Sequence, residues 1–231
     1  MVNKDKNRVI NSQLKALYKE YTDEFLEVYS RAYECDRPCK INEFGIVDID
    51  TYDADNGVLF VSKESNGWSD DDFRRDYSYR LWLYEIVHNG LSAAKEHTKR
   101  NPLFLYNLGR WSAVIHDRSN SISELCFKKS EVLPYISRIA YTNINKVKGE
   151  NVSGRQYSEI SKSDVAQMVI KKEIEIISPK IIVCCGTYET LKDYGINEFD
   201  SKAVKMPHLS CRKNIGKLLN CLQEQLRIKH L

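Results

Sequence analysis

Several features that would narrow the class of this 231-residue protein are missing from its sequence. No apolar run approaches the roughly 20 residues that a membrane helix needs. The N-terminus, MVNKDKNRVI, lacks the apolar stretch of a secretion signal. There is no internal repeat and no low-complexity segment. We therefore expect a cytoplasmic protein that does not act at a membrane.

The number and spacing of the cysteines argue against a fold held together by disulfides. The seven cysteines are an odd number and follow no framework, so we expect reduced thiols, as is usual in the cytosol. Cys184 and Cys185 lie in an apolar run and are predicted to be core residues. Cys35 and Cys39 could supply half of a tetrahedral metal site. No second pair completes that site, and we expect neither a metal nor another cofactor.

Charge is present in both signs and is nearly balanced, at a net +3. This permits nucleic-acid binding without arguing for it, and a solvated surface of mixed sign is the more frequent arrangement. If DNA is the partner, cations have to gather on one face. The candidates are 95–100, Arg110, Lys128, Lys129, Lys146, Lys148, Arg155, Arg212 and Lys213.

Hydrophobic residues make up 42% of the chain and charged residues 29%, which is typical of a globular protein. The length suits a single domain over 1–231, with an N-terminal helical extension over about 1–45. Apolar residues spaced by three and four predict helices at 11–34 and 163–177, and a final helix at about 213–229. Short apolar runs predict strands at 57–62, 138–143, 180–185 and 203–206.

Strands and helices alternate in the second half of the chain, which predicts parallel pairing. We expect a three-layer α/β/α sandwich around a four-stranded, mainly parallel sheet. Three polar clusters directly follow predicted strands, at 63–68, 143–146 and 207–212. Because parallel strand ends meet at one edge of a sheet, these clusters are predicted to line one cleft.

Together the three clusters contain a carboxylate (Glu64), an amide (Asn143) and an imidazole (His208). Such a set suits cleavage of an N-glycosidic bond. The carboxylate orients water and stabilises a sugar cation, the amide reads a base edge, and the imidazole stabilises the departing base. Taken singly, each residue is more often an exposed or turn residue. The signal lies in their order and in the strands that precede them.

Four runs in the same order resemble the motifs of the uracil-DNA glycosylase superfamily. They are GVLFVSKESNGW, RIAYTNINK, ISPKIIVCCGTYETL and VKMPHLSCR, and they span about residues 57–213. The resemblance implies a monofunctional DNA glycosylase fold and activity, with DNA as partner. It implies catalytic roles for Glu64 and His208 and base recognition by Asn143. We expect the protein to act as a monomer.

The same resemblance implies further contacts with the flipped base and with the DNA strand. The base-binding candidates are Ser62, Lys63, Ser65, Asn66, Trp68 and Phe73. The aromatic that stacks on the base is left open, because Trp68, Phe73 and Tyr77 fit a role in core packing equally well. The DNA-binding candidates are Ser210, Arg212, Lys146, Gly186 and Thr187.

The first and last motifs depart from the family pattern. Ser62, Ser65 and Asn66 stand where glycine, proline and glycine or tyrosine are usual, and Leu209 replaces a proline. These changes alter the pocket and leave open which base is removed. The candidates are uracil, as in base-excision repair, and a modified pyrimidine of phage DNA, as in anti-phage defence. Two other functions stay open: a catalytically inactive DNA-binding module of this fold, and a hydrolase of small nucleosides or nucleotides.

Overall fold

The computed structural model of the chain describes residues 2–34, 41–63, 78–94, 102–117, 121–147 and 154–231. Within these residues one mixed sheet has the strand order β1-β3-β2-β4-β5. Strand β1 is antiparallel to β3, and the other neighbouring strands are parallel. The protein is therefore α/β. Its strands are β1 (Gly45–Ile46), β2 (Val58–Ser62), β3 (Ala140–Asn143), β4 (Ile181–Cys185) and β5 (Ala203–Met206).

Helices connect and cover these strands. Among the described residues, no helix combines the length and the apolarity that crossing a bilayer requires. Two 3₁₀ helices occupy Gly90–Ala93 and Ser130–Arg138. The α-helices are α1 (Lys4–Tyr33), α2 (Tyr79–Asn89), α3 (Leu103–His116), α4 (Ile122–Phe127), α5 (Arg155–Ser161), α6 (Asp164–Ile177), α7 (Tyr188–Asp193), α8 (Phe199–Lys202) and α9 (Ile215–Ile228).

The strands β2 and β4 lie in the middle of the sheet, and every one of their residues is buried. A parallel strand covered on both faces has to be apolar along its whole length, which explains why these runs are continuous rather than alternating. Strand β5 begins and ends where the sequence predicts. Strand β3 begins two residues later than predicted, because the preceding 3₁₀ helix extends to Arg138.

The prediction of four strands is wrong, because the sheet has a fifth strand at its edge. Strand β1 pairs with β3 through only two residues, which is too short to show any apolar period. The side chain of Asn11 on α1 bonds both backbone groups of Ile46, accepting from its N–H at 2.9 Å and donating to its carbonyl at 3.2 Å. A helix side chain therefore covers the outer edge of the sheet.

The helices form two groups of mutual contacts. Helix α1 packs against α5, α6 and β1, whereas α9 packs against α3, α4 and β5. Helix α1 begins earlier than the apolar period predicts, because the Asn3 side chain caps it by accepting from Lys6 N at 3.0 Å. Helix α5 lies in the connection between β3 and α6, where the apolar period predicts no helix. The apolar residues of α1 belong to the same core as the central strands.

Candidate functional site

The carboxyl ends of β2 and β3 lie side by side. Ser62 is the register partner of Asn143 in the last pair of the ladder. Pairing continues beyond the strands, since Ile144 N donates to Ser62 O at 2.9 Å and Asn145 N donates to Lys63 O at 2.9 Å. Two of the three predicted polar clusters therefore start at the same edge of the sheet.

The carboxyl ends of β4 and β5 complete this edge, which we call the rim. Gly186 follows β4 with a φ of +77°, and its N–H donates to Met206 O at 2.8 Å. A Cβ at Gly186 would lie 3.4 Å from the backbone nitrogen of His208, an ordinary contact distance, so it is the positive φ that favours glycine here. The next residue, Thr187, donates its hydroxyl to Val61 O at 2.8 Å and joins this turn to β2.

The Asn143 amide lies below the rim in a fully buried position. The Tyr141 hydroxyl donates to Asn143 Oδ1 at 3.0 Å. Residues i and i+2 of a strand share a face, which is why these two side chains meet. Burial raises the pKa of Tyr141 well above its ordinary value, so this hydroxyl stays protonated and keeps donating. The amide orientation is therefore fixed before any ligand arrives.

An aromatic cluster surrounds the Tyr141 side of this amide. The Tyr79 ring, at the start of α2, stacks on Tyr141 with centroids 5.2 Å apart and an interplanar angle of 13°. Phe104 of α3 meets Tyr141 edge to face at 6.0 Å, and Phe44 lies 6.2 Å from it. Such arrangements favour a rigid, dry surrounding for the amide.

His208 is partly buried at the rim and is held by its own loop. The Ser210 N–H donates to His208 Nδ1 at 3.2 Å. Burial lowers the pKa of His208, and the positive charge of Lys63 lowers it further. The imidazole is therefore neutral near pH 7. Since Nδ1 accepts a hydrogen bond, the proton resides on Nε2, which is the donor available to a ligand.

The positive charge of Lys63 acts on this imidazole and lowers its pKa. Its ammonium lies 5.4 Å from the centroid of the Tyr157 ring, a cation–π distance. The side chain is only partly exposed. The rim thus brings an amide, a neutral imidazole and a fixed cation into one region.

The structure brings together six of the predicted site residues, at consecutive strand ends. These are Ser62, Lys63, Asn143, Gly186, Thr187 and His208. The predicted residues Glu64, Ser65, Asn66, Trp68 and Phe73, with Tyr77, lie outside the described residues. The cysteine pair Cys35 and Cys39 also lies outside them, so the absence of a metal site stays a prediction.

The predicted contact of Lys146 with DNA is contradicted by its position. Lys146 has no exposed surface, and its ammonium bonds both carboxylate oxygens of Glu173, at 2.6 and 2.7 Å. It also donates to Thr142 Oγ1 at 2.6 Å. Burial lowers the pKa of Lys146, and the Glu173 carboxylate acts in the opposite direction. Lys146 is therefore a structural residue that anchors the loop after β3 to α6.

Burial also contradicts the predicted surface roles of Thr187 and Arg110. The Thr187 side chain is buried and its hydroxyl is committed to Val61, so it cannot offer that hydroxyl to a phosphate. Arg110 is a candidate for a basic surface by its sequence, yet it is buried on α3. By contrast, Ser210 and Arg212 are exposed beside the rim, and their predicted contact with DNA stays a prediction.

No protein-family model, curated protein or solved structure gives a significant match to this chain.

Two residues that shape the site, Tyr141 and Asn107, are not among the candidates identified from the sequence. Tyr141 could have been found, since it stands two residues before Asn143 on the same strand. Asn107 of α3 donates to Leu209 O at 2.6 Å and holds the loop of His208, but an amide within a helix gives no local signal of this contact.

Proposed function

We propose that this protein is a DNA glycosylase of the uracil-DNA glycosylase type. It hydrolyses the N-glycosidic bond of a flipped uracil or modified pyrimidine and leaves an abasic site. The observation that supports this most is the rim itself: the ends of β3 and β2, which bear Asn143 and Lys63, adjoin each other, and the loop of His208 follows β5 on the far side of β4 at the same edge. We place the reaction in the cytoplasm.

Asn143 reads the edge of the base in this proposal. A pyrimidine edge offers a carbonyl oxygen and a ring N–H or nitrogen, which match an amide's donor and acceptor. The Tyr141 hydroxyl fixes the amide in advance, so the amide itself does not have to reorient when it binds the base. Asn143 has no exposed surface, so the base reaches the amide only when the groups that cover it move apart.

His208 and Lys63 stabilise the negative charge that develops on the departing base. The neutral imidazole donates from Nε2, and the ammonium of Lys63 adds a fixed positive charge nearby. A single well-placed donor in a site shielded from water contributes about 3 kcal/mol to transition-state stabilisation. Glu64, which follows Lys63 in sequence, is the residue proposed to align water and to stabilise the sugar cation.

The finer architecture is part of the same proposal. Helices α1, α5 and α6 contact one another, and α9 contacts α3 and α4. Two such helix groups around a mainly parallel sheet fit a three-layer α/β/α sandwich of the glycosylase type. A ligand site at the carboxyl ends of the strands is where open α/β sheets place their ligands.

Base release measured by mass spectrometry tests the activity. Oligonucleotides carrying uracil, other deaminated bases or phage-type modified cytosines are incubated with the protein. We expect a free base and an alkali-labile abasic site from at least one of them. His208→Asn should slow release by about 100-fold at unchanged DNA affinity. His230→Asn is the matched control, because His230 is exposed on the C-terminal tail.

The same assay separates the other functions. DNA binding without release of any base would identify an inactive DNA-binding module. Cleavage of free nucleosides, together with DNA affinity that does not depend on salt, would identify a small-molecule hydrolase. Glu64→Gln should abolish release while binding persists, and full activity of that variant would remove Glu64 from the mechanism.

A further inference from the structure

Phe127 is the most exposed large hydrophobic side chain among the described residues, at 85%. It is the last residue of α4, and its backbone is tightly held. Arg110 donates from Nε to Leu125 O at 2.9 Å, and from one terminal nitrogen to Cys126 O at 3.2 Å and Lys128 O at 2.7 Å. Three carbonyls around Phe127 are thus fixed by one buried guanidinium. The ring projects outward from a rigid support.

The neighbouring turn of α3 holds the loop of His208. Asn107 lies one turn before Arg110 and donates to Leu209 O at 2.6 Å. Arg110 also donates to Asn107 Oδ1 at 3.5 Å, so the two side chains form one connected unit. The tip of α4 and the last loop of the rim are therefore fastened to neighbouring positions of one helix.

The start of α9 lies against the tip of α4. A Cβ at Gly216 would lie 3.4 Å from the sulfur of Cys126, the residue that precedes Phe127. Gly216 itself follows closely after Arg212 and Lys213. We infer from this contact that the exposed ring and the cations around the start of α9 lie on one side of the protein, and we call this surface the α4–α9 face.

The α4–α9 face is positively charged. The stretch 201–223 contains no aspartate or glutamate. Its exposed cations Arg212, Lys213 and Lys217 make no ion pair with any residue in the described ranges. Lys128 and Lys129 follow Phe127 directly, and Lys128 is only weakly paired, 4.0 Å from Glu124. An exposed ring bordered by cations fits a polyanion that carries flat apolar groups.

We propose that the α4–α9 face binds a DNA strand and that Phe127 stacks on one of its bases. Arg212, Lys213 and Lys217 contact the phosphates in this arrangement. Aromatic rings and cations are the combination that binds single strands, because every base offers a π-face whatever the sequence. The identity of the ligand as DNA rests on the proposed function. The contribution of Phe127 does not depend on the cleavage chemistry.

Fluorescence anisotropy with a labelled single-stranded oligonucleotide and with the matching duplex tests this face. Phe127→Ala should weaken binding of the single strand by about five- to tenfold without changing the salt slope. Phe127→Trp should retain the affinity, since a flat ring remains. The control is Ile228→Ala: Ile228 is also exposed, at 61%, but lies about 20 Å away at the far end of α9.

The charge on this face has its own test. The double variant Arg212→Gln/Lys213→Gln should lower the slope of log affinity against log salt by about 1.4 for a single strand, which corresponds to two lost phosphate contacts. Because all the substituted side chains are exposed, the variants should keep the unfolding midpoint of the parent protein, and thermal unfolding checks this.

The results distinguish failure of this face from failure of the proposed function. Equal DNA affinity of Phe127→Ala and the parent protein would overturn the stacking role, even if bases are released normally. A five- to tenfold loss in Phe127→Ala would support the stacking role, even if no base is released from any substrate. A salt slope unchanged in the double variant would overturn the phosphate contacts.

Discussion

Replacing Lys146 by methionine should destabilise the protein by about 3–5 kcal/mol, because it leaves a buried carboxylate without its counter-charge. Lys146 and Glu173 both have no exposed surface, and two contacts of 2.6 and 2.7 Å join them. Methionine matches the length and volume of the lysine stem, so little of this cost comes from a cavity. Most of the predicted loss of stability is therefore the free energy of keeping Glu173 charged without a partner, or of protonating it.

The surroundings of the pair explain why Glu173 cannot simply turn to solvent. Tyr18 of α1 donates its hydroxyl to one carboxylate oxygen, and the Thr142 hydroxyl lies 3.0 Å from the other. Lys146 also contacts the Phe44 ring, at 5.0 Å from its centroid. The pair therefore joins α1, α6 and β3. For a chain of this size, 3–5 kcal/mol corresponds to a fall of about 6–20 °C in the unfolding midpoint.

Thermal and urea unfolding at pH 7 measure this cost. The matched control is Lys202→Met, which breaks an exposed pair with Glu198 of 2.8 Å and should cost at most about 1 kcal/mol. Adding Glu173→Gln to Lys146→Met should recover part of the loss, because the amide is neutral and still accepts from Tyr18. The reasoning is refuted if Lys146→Met costs no more than Lys202→Met.

Two more predictions concern the glycine of the rim and a buried histidine. Gly186→Ala should cost about 1–2 kcal/mol in urea unfolding from its φ of +77° alone, because the new Cβ would lie at an ordinary contact distance of 3.4 Å from the His208 backbone nitrogen. Gly195→Ala, with a φ of +65° and open space around it, is the control that keeps the backbone cost alone. Burial lowers the pKa of His116 to about 4, so its neutral form stabilises the fold. That stability is complete above the unfolded pKa of about 6.5, and about 2–3 kcal/mol of it is lost as pH falls to 4. Urea unfolding of His116→Gln should show a flatter dependence over this window, and an unchanged dependence would contradict the assignment.

The central strands were predictable because a strand buried on both faces needs a continuous run of apolar residues, which is visible in the sequence. Strand β4 is apolar at every position, a pattern that is typical of a short strand between two layers of helices. Strand β1 has no such pattern, because two residues are too few to show a period. Its outer edge is bonded by Asn11, which is distant in sequence. The edge strand β1 therefore could not be predicted from the sequence and is known only from the structure.

The site was predictable to the extent that it depends on strand order. The convergence of Ser62, Asn143 and His208 follows from parallel pairing, which the alternation of elements indicates. The burial of Lys146 does not follow, because a lysine in a polar loop resembles a surface residue. One signal was present: Glu173 falls on the apolar face of α6, four residues after Val169 and three after Ile170. A carboxylate on that face predicts a buried cation as its partner.

The electrostatics of the rim also bear on which base the proposed reaction would release. Lys63 and burial keep His208 neutral, so the imidazole donates a hydrogen bond but holds no spare proton to deliver. A neutral donor beside a fixed cation suits a base that departs as an anion. Uracil-like pyrimidines spread that charge over two carbonyl oxygens, whereas a cytosine-like base has one carbonyl and departs more easily after protonation. The charge balance around His208 therefore favours keto pyrimidines as substrates of the proposed reaction.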